Sequence, residues 1–184
     1  MKFGQLSAVA LTCLGLSSTL VTGLSLTCIT AAKAANKIPG LLVEHIQKES
    51  CAAGCEPKLD HWPAYVKDAV MRPMFEDALQ GTGYEGSKEA FIESFDKIFD
   101  NVARQCSGKL QGHHFCAHPE QLKPFVACAQ TAALTSALSA SKSIYPYMSD
   151  SACTRAAGYF TSSKLWDVDF PKHFKKYVNI CHEL

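Results

Sequence analysis

The clearest signal along the chain is a helical stripe between Ser87 and Cys106, where Phe91, Phe95, Ile98, Val102 and Cys106 recur every three or four positions. Ile92 and Phe99 widen that stripe, and Asp, Glu, Lys and Arg fill the opposite side, the pattern of a helix laid against a core. Ser87 suits its N-cap, Glu89 its first turn and Gly108 its exit. Burying Phe91, Phe95 and Phe99 would contribute ~2–3 kcal/mol each, offset by the ordering of the segment.

Shorter stretches carry the same period. Leu41, Leu42, His45 and Ile46 predict a first helix over 40–51, and Trp62, Val66, Val70 and Met74 a second, started by Asp60 and Pro63. Pro73 lacks an amide donor and predicts a kink near Met71. Pro119 opens a further helix, with Pro124 as a second start, through Phe125, Cys128, Ala132 and Leu134. Asp150 caps one that carries Cys153, Ala156, Ala157 and Phe160. Asp169 and Pro171 open a last one with Phe174, Tyr177, Val178 and Cys181. Four or more alternating β-branched residues between turn signals occur nowhere. The expected fold is therefore all-α, a compact bundle of five or six helices.

The first 35 residues depart from this pattern, because they contain no Asp or Glu. Lys2 supplies a positive start, an apolar run spans Leu6 to Ala32, and Ala32, Ala34 and Ala35 offer small residues for cleavage. This reads as a secretory signal peptide over 1–35, leaving 36–184 as a single helical domain without stable membrane insertion after cleavage. Gly15, Gly23 and the interspersed Ser and Thr dilute the run, which argues against a retained membrane helix. The C-terminal Cys181-His182-Glu183-Leu184 is not an endoplasmic retention signal, so the expected location is extracellular.

Nine cysteines in an exported chain imply disulfides. Cleavage near Ala34 leaves Cys51, Cys55, Cys106, Cys116, Cys128, Cys153 and Cys181, an odd set with one free thiol or an intermolecular bridge. A cut after Gly23 instead keeps Cys28 and makes the set even. Spacing does not fix the pairing. Cys106, Cys128 and Cys181 fall on the apolar stripes of their helices, so bridges that staple helices across the core are expected.

Charge narrows the function classes. Residues 36–106 hold 8 Lys and Arg against 12 Asp and Glu, and residues 107–184 hold 8 against 5, so the mature chain is close to neutral. That balance argues against a nucleic-acid partner. If the two halves were kept apart, the molecule would present an oriented field. Lys172, Lys175 and Lys176 beside His173 form the one local basic cluster.

Three features carry candidate chemistry. His113, His114 and His118 crowd one loop with Cys116 and form a candidate metal site or hydrolytic centre, although Pro119 works against a helical alignment of His114 with His118. Gly81-Thr82-Gly83-Tyr84-Glu85-Gly86 imitates a phosphate-binding glycine loop. It follows a helix rather than a strand, and Glu85 would repel phosphate, so a turn is expected. The phenylalanines of the stripe, with Phe125, Phe160 and Phe174, form core in the first instance and a cavity for a lipid, sterol or odorant-like ligand in the second.

No nucleophile elbow, zinc-protease helix, Cys-x-x-Cys pair or calcium loop occurs, so the weight falls against an enzyme, and no cofactor is expected. The leading expectation is a secreted, effector-like or inhibitor-like protein that binds an extracellular or host protein. Tyr84, Tyr145, Tyr147 and Trp166, read as loop aromatics, are its contact candidates.

Overall fold

The computed structural model describes residues 25–80 and 85–184. Residues 1–24 of the signal peptide expected over 1–35, and residues 81–84 with contact candidate Tyr84, lie outside the described residues. Among the described residues every regular element is helical, and none is long and apolar enough to cross a membrane. Six α-helices fall within residues 36–184 and one precedes them. The disulfide-stapled all-α bundle expected from the periodicity is what forms.

Helix α1, Leu26–Ala35, is capped by Ser25, whose side chain accepts from the Cys28 amide. Helix α2, Ile38–Ile46, continues into a wider helical turn, Gln47–Cys51. Gly54 ends the turn that follows at φ +79°, a conformation L side chains rarely adopt, and an added Cβ would sit 3.5 Å from the His182 ring. A wide helical segment, Trp62–Met71, then passes directly into α3, Arg72–Leu79. The change from wide turns to ordinary α turns falls beside Pro73, where a missing amide donor predicted a break.

Helix α4 spans Lys88–Cys106 and α5 spans Pro119–Ile144. Ser87 sits at the N-cap position of α4 without a side-chain cap bond. Pro124 does not restart α5, which runs through it as one helix of 26 residues. Helices α4 and α5 make the most extensive pairing in the fold, consistent with the small face of α5. Ser94 meets Ser143 across it at 3.0 Å, and the Asn101 amide donates to Ser136.

Helix α6, Asp150–Phe160, is capped by Ser149 rather than by Asp150. A wide turn, Lys164–Asp169, leads into α7, Phe170–Val178. The main core is an aromatic column on this last stretch: Phe170, Phe174 and Tyr177 are fully buried, and Phe170 stacks on Phe174 at 4.9 Å. The α4 phenylalanines are less buried than the stripe implied. Phe91, Phe95 and Phe99 are half-buried, whereas Ile92, Ser94, Val102 and Cys106 are buried. The contact face of α4 is thus rotated toward α5, and Phe95 and Phe99 face a less tightly filled region.

Four disulfides join Cys28 to Cys153, Cys51 to Cys116, Cys55 to Cys181 and Cys106 to Cys128. The odd set with a free thiol, expected for a cut near Ala34, does not describe residues 25–184, because Cys153 takes Cys28 as its partner. Helix α1 lies along α6, where Cys28, Ala31 and Cys153 are buried with Met148, Ala156 and Ala157 against them. Cys106–Cys128 staples α4 to α5 as expected. Cys181 lies on a short turn beyond α7 rather than on its stripe, and it ties that end to Cys55, just after the Gly54 turn.

The halves of opposite charge interleave. Lys67 and Arg72 pair with Asp96 of α4 inside the acidic half, while Lys172 and His173 of α7 reach across to Asp77 of α3.

Candidate functional site

The sequence-derived candidates fall in different places. Tyr145 and Tyr147 occupy a single short turn, Tyr145–Tyr147, between α5 and α6, and are 53% and 37% exposed. Pro146 fixes the backbone between them. The ring of Tyr147 lies 6.2 Å from that of Phe91, which gives it a shelf on α4.

Trp166 is not a loop aromatic. The chain begins winding at Lys164 instead of Asp169, so Trp166 is in a helical turn, 7% exposed, with its indole N–H donating to the Phe160 carbonyl at 2.9 Å. Its ring stacks on buried His45 at 5.0 Å. Trp166 is part of the buried core.

The histidine loop is fixed by its apolar and sulfur members. Phe115 is buried against Phe125 and donates its amide to the Pro57 carbonyl at 2.8 Å, and Cys116 is bonded to Cys51. Gln47 donates to the Ala117 carbonyl at 2.9 Å. The imidazoles turn to local backbone: His114 Nδ1 accepts from the Cys116 amide at 3.1 Å and His118 Nδ1 from the Glu120 amide at 3.4 Å. Among the described residues, the group of three ligand-type atoms within 4.8 Å of one another is Cys55, Cys181 and His182, not His113, His114 and His118. Two of its members are joined in a disulfide and cannot act as thiolate ligands.

Three polar clusters lie elsewhere, and one of them draws on Lys172 and His173 of the basic cluster. The Tyr177 hydroxyl and His61 Nδ1 share a hydrogen bond at 2.9 Å. Burial, and after it the Lys58 charge, lower the His61 pKa, which favours the neutral ring. Burial pushes the Tyr177 phenol up to about 12. Asp77 Oδ2 takes His173 Nε2 and Lys172 Nζ, each at 3.0 Å, and the hydrogen bond from His173 leads in holding that carboxyl below its ordinary range. Buried Asp169 receives Lys164 at 2.9 Å and the Tyr159 hydroxyl at 3.0 Å. Burial, then Asp169, drives the Tyr159 phenol far above its usual range. Each cluster ties one helix to another, as a structural polar contact does.

An apolar pocket lies among α2, the Trp62–Met71 segment, α4 and α5. It is a cavity of about 90 Å³, walled by Leu42, Trp62, Phe95, Phe99, Phe115 and Phe125 among other apolar residues. A second void of about 30 Å³ shares the walls Ile38, Leu42 and Phe95. Of the phenylalanines expected to line a cavity, Phe95, Phe99 and Phe125 do so, Phe160 borders the smaller void, and Phe174 is packed solid in the α7 column. Ligand pockets for drug-sized molecules commonly measure roughly 300–1,000 Å³. A sterol or a long acyl chain does not fit this space as it stands.

Comparison of the chain with protein-family models, with curated proteins and with solved structures finds no match.

Proposed function

We propose that the protein is exported and acts outside the producing cell by binding a macromolecule, in the manner of a small effector or inhibitor and without catalysis. The observation that carries this reading is the Tyr145-Pro146-Tyr147 turn, which presents two exposed aromatic rings on a backbone held between two helices. Tyrosine offers a large, stiff, amphipathic contact with few rotors to freeze, and aromatic anchors of this kind dominate binding energy at interfaces. Four disulfides support an oxidising destination, since such bonds persist in secreted proteins and are rare in the cytosol.

The same bridges bear on the leader. A cut near Ala34 would discard Cys28 and most of α1, leaving Cys153 without its partner. We therefore place the end of the leader near Gly23, upstream of the Ser25 cap.

The test compares wild type with a Tyr145→Ser/Tyr147→Ser variant, both fluorescently labelled, on intact cells and extracellular matrix. Saturable binding that weakens on the order of tenfold or more in the variant, with an unchanged melting curve, is the expected result. Absence of saturable binding by the wild type overturns the reading, and equal binding by the variant removes the tyrosine turn from it.

A further inference from the structure

Helix α1 leans on a single neighbour. Among the described residues it packs along α6, and the buried members of that contact, Cys28, Ala31 and Cys153, form a cluster separate from the main core. Met148, Ala156 and Ala157 press against the cluster, so apart from the Cys28–Cys153 bridge little apolar area holds α1 in place.

The connection from α1 to α2 consists of Asn36 and Lys37 alone. Both keep right-handed helical backbone, at φ −65°, ψ −16° and φ −82°, ψ −18°. Pro39 has no amide with which to bond Ala35 and lock the two helices together. The turn also carries a cost, because Asn36 Oδ1 is buried there without a hydrogen-bond partner. Small dihedral changes at this hinge swing α1 away from α6 and return Asn36 to water. Short hinges that hold an unfavourable contact invite exchange of the element they carry.

We propose that α1 is exchanged between two copies of this chain, each giving its Leu26–Ala35 helix to the α6 of the other, with Cys28 of one copy bonded to Cys153 of the second. The α6 face then holds the same helix as before, so the contacts made within one chain are remade between two while the hinge is relieved. The exchange is neutral in electrons. Two Cys28–Cys153 bonds within copies become two between copies, and the small thiolate that opens a bond is released when the new one closes. The inference rests on α1 remaining in the mature chain, with the leader ending near Gly23.

The experiment uses protein expressed with residues 1–35 in place and mixes equal amounts of unlabelled and isotope-labelled material, both oxidised. The mixture is concentrated in a glutathione buffer that leaves the fold intact, the dimer is separated by size, and its linked peptides are mapped without reduction. About half of the Cys28–Cys153 pairs in the dimer should join peptides of different isotope, the share for random exchange between copies. The pairs Cys51–Cys116, Cys55–Cys181 and Cys106–Cys128 should stay within one isotope. The dimer should grow with protein concentration. Inserting Gly-Ser-Gly-Ser between Asn36 and Lys37 should lose most of it, since a longer, relaxed hinge favours closure within one chain. Intact mass is read first, because a chain that begins near Ala35 lacks α1 and overturns the leader reading together with this one. A chain that keeps α1 but forms no dimer, gives only single-isotope Cys28–Cys153 pairs, or keeps its dimer despite the insertion overturns the exchange alone. Mixing of all four bridges alike does so too, since it marks general disulfide reshuffling.

Discussion

Two regions of this molecule are held by opposite means. The main core rests on large rings: Trp166, Phe170, Phe174 and Tyr177 form a continuous buried column, and three of the four disulfides join elements around it. The α1–α6 pair has almost no large side chains at its contact. Cys28, Ala31 and Cys153 are its buried members, and one bridge closes it. Small residues let the two backbones approach closely, but they remove little apolar area from water. The pair therefore leans on its disulfide in a way the main core does not.

That contrast is broken most forcefully in the column. Phe174→Ala removes a fully buried ring from between Phe170 and Tyr177 and should cost ~3–5 kcal/mol, read as a shift of the urea midpoint. Next comes the Cys55–Cys181 bridge, which closes the fold across 126 residues. A Cys55→Ser/Cys181→Ser variant should lose ~2–5 kcal/mol of global stability, with every helix affected together. The matching Cys28→Ser/Cys153→Ser variant should behave differently. Amide exchange in α1 should accelerate by on the order of a hundredfold while α4 and α7 amides keep their protection, because only a local unit opens. A uniform loss of protection across the protein would show instead that α1 is integral to the main core.

The smallest effect concerns pH. Because the folded His61 pKa lies below its unfolded value, the unfolded chain takes up the proton first as pH falls below about 6.5. Stability should be fully present above that pH and decline through the window down to the lowered folded value. His61→Phe should flatten this part of the Tm–pH profile. Asp77 acts lower down, where its depressed pKa makes its contribution fade only as pH drops below the usual carboxylate range.

The same contrast explains what could be read from the sequence. Helix α4 was legible because it alternates charge with large apolar residues at the helical period, whereas at Pro73 the expected kink is a change of turn width within continuous winding. Helix α1 was not, since a run with small residues and no acidic side chain reads equally as a leader or as a helix that packs through alanines. Trp166 was misplaced because Asp169 and Pro171 signal a helix start, while the chain winds from Lys164 without a marker. Disulfide partners as far apart as Cys28 and Cys153 leave no local trace. Neither does the cavity, whose walls Trp62, Phe99 and Phe125 come from three separate helical segments.

The most direct test of this account is intact-mass and peptide mapping, without reduction, of the protein expressed with residues 1–35 in place. It should show a mature chain that begins upstream of Ser25, with four disulfides and a linked peptide pair containing Cys28 and Cys153. A mature chain that begins near Ala35 and carries Cys153 as a free thiol or in an intermolecular bridge would contradict it.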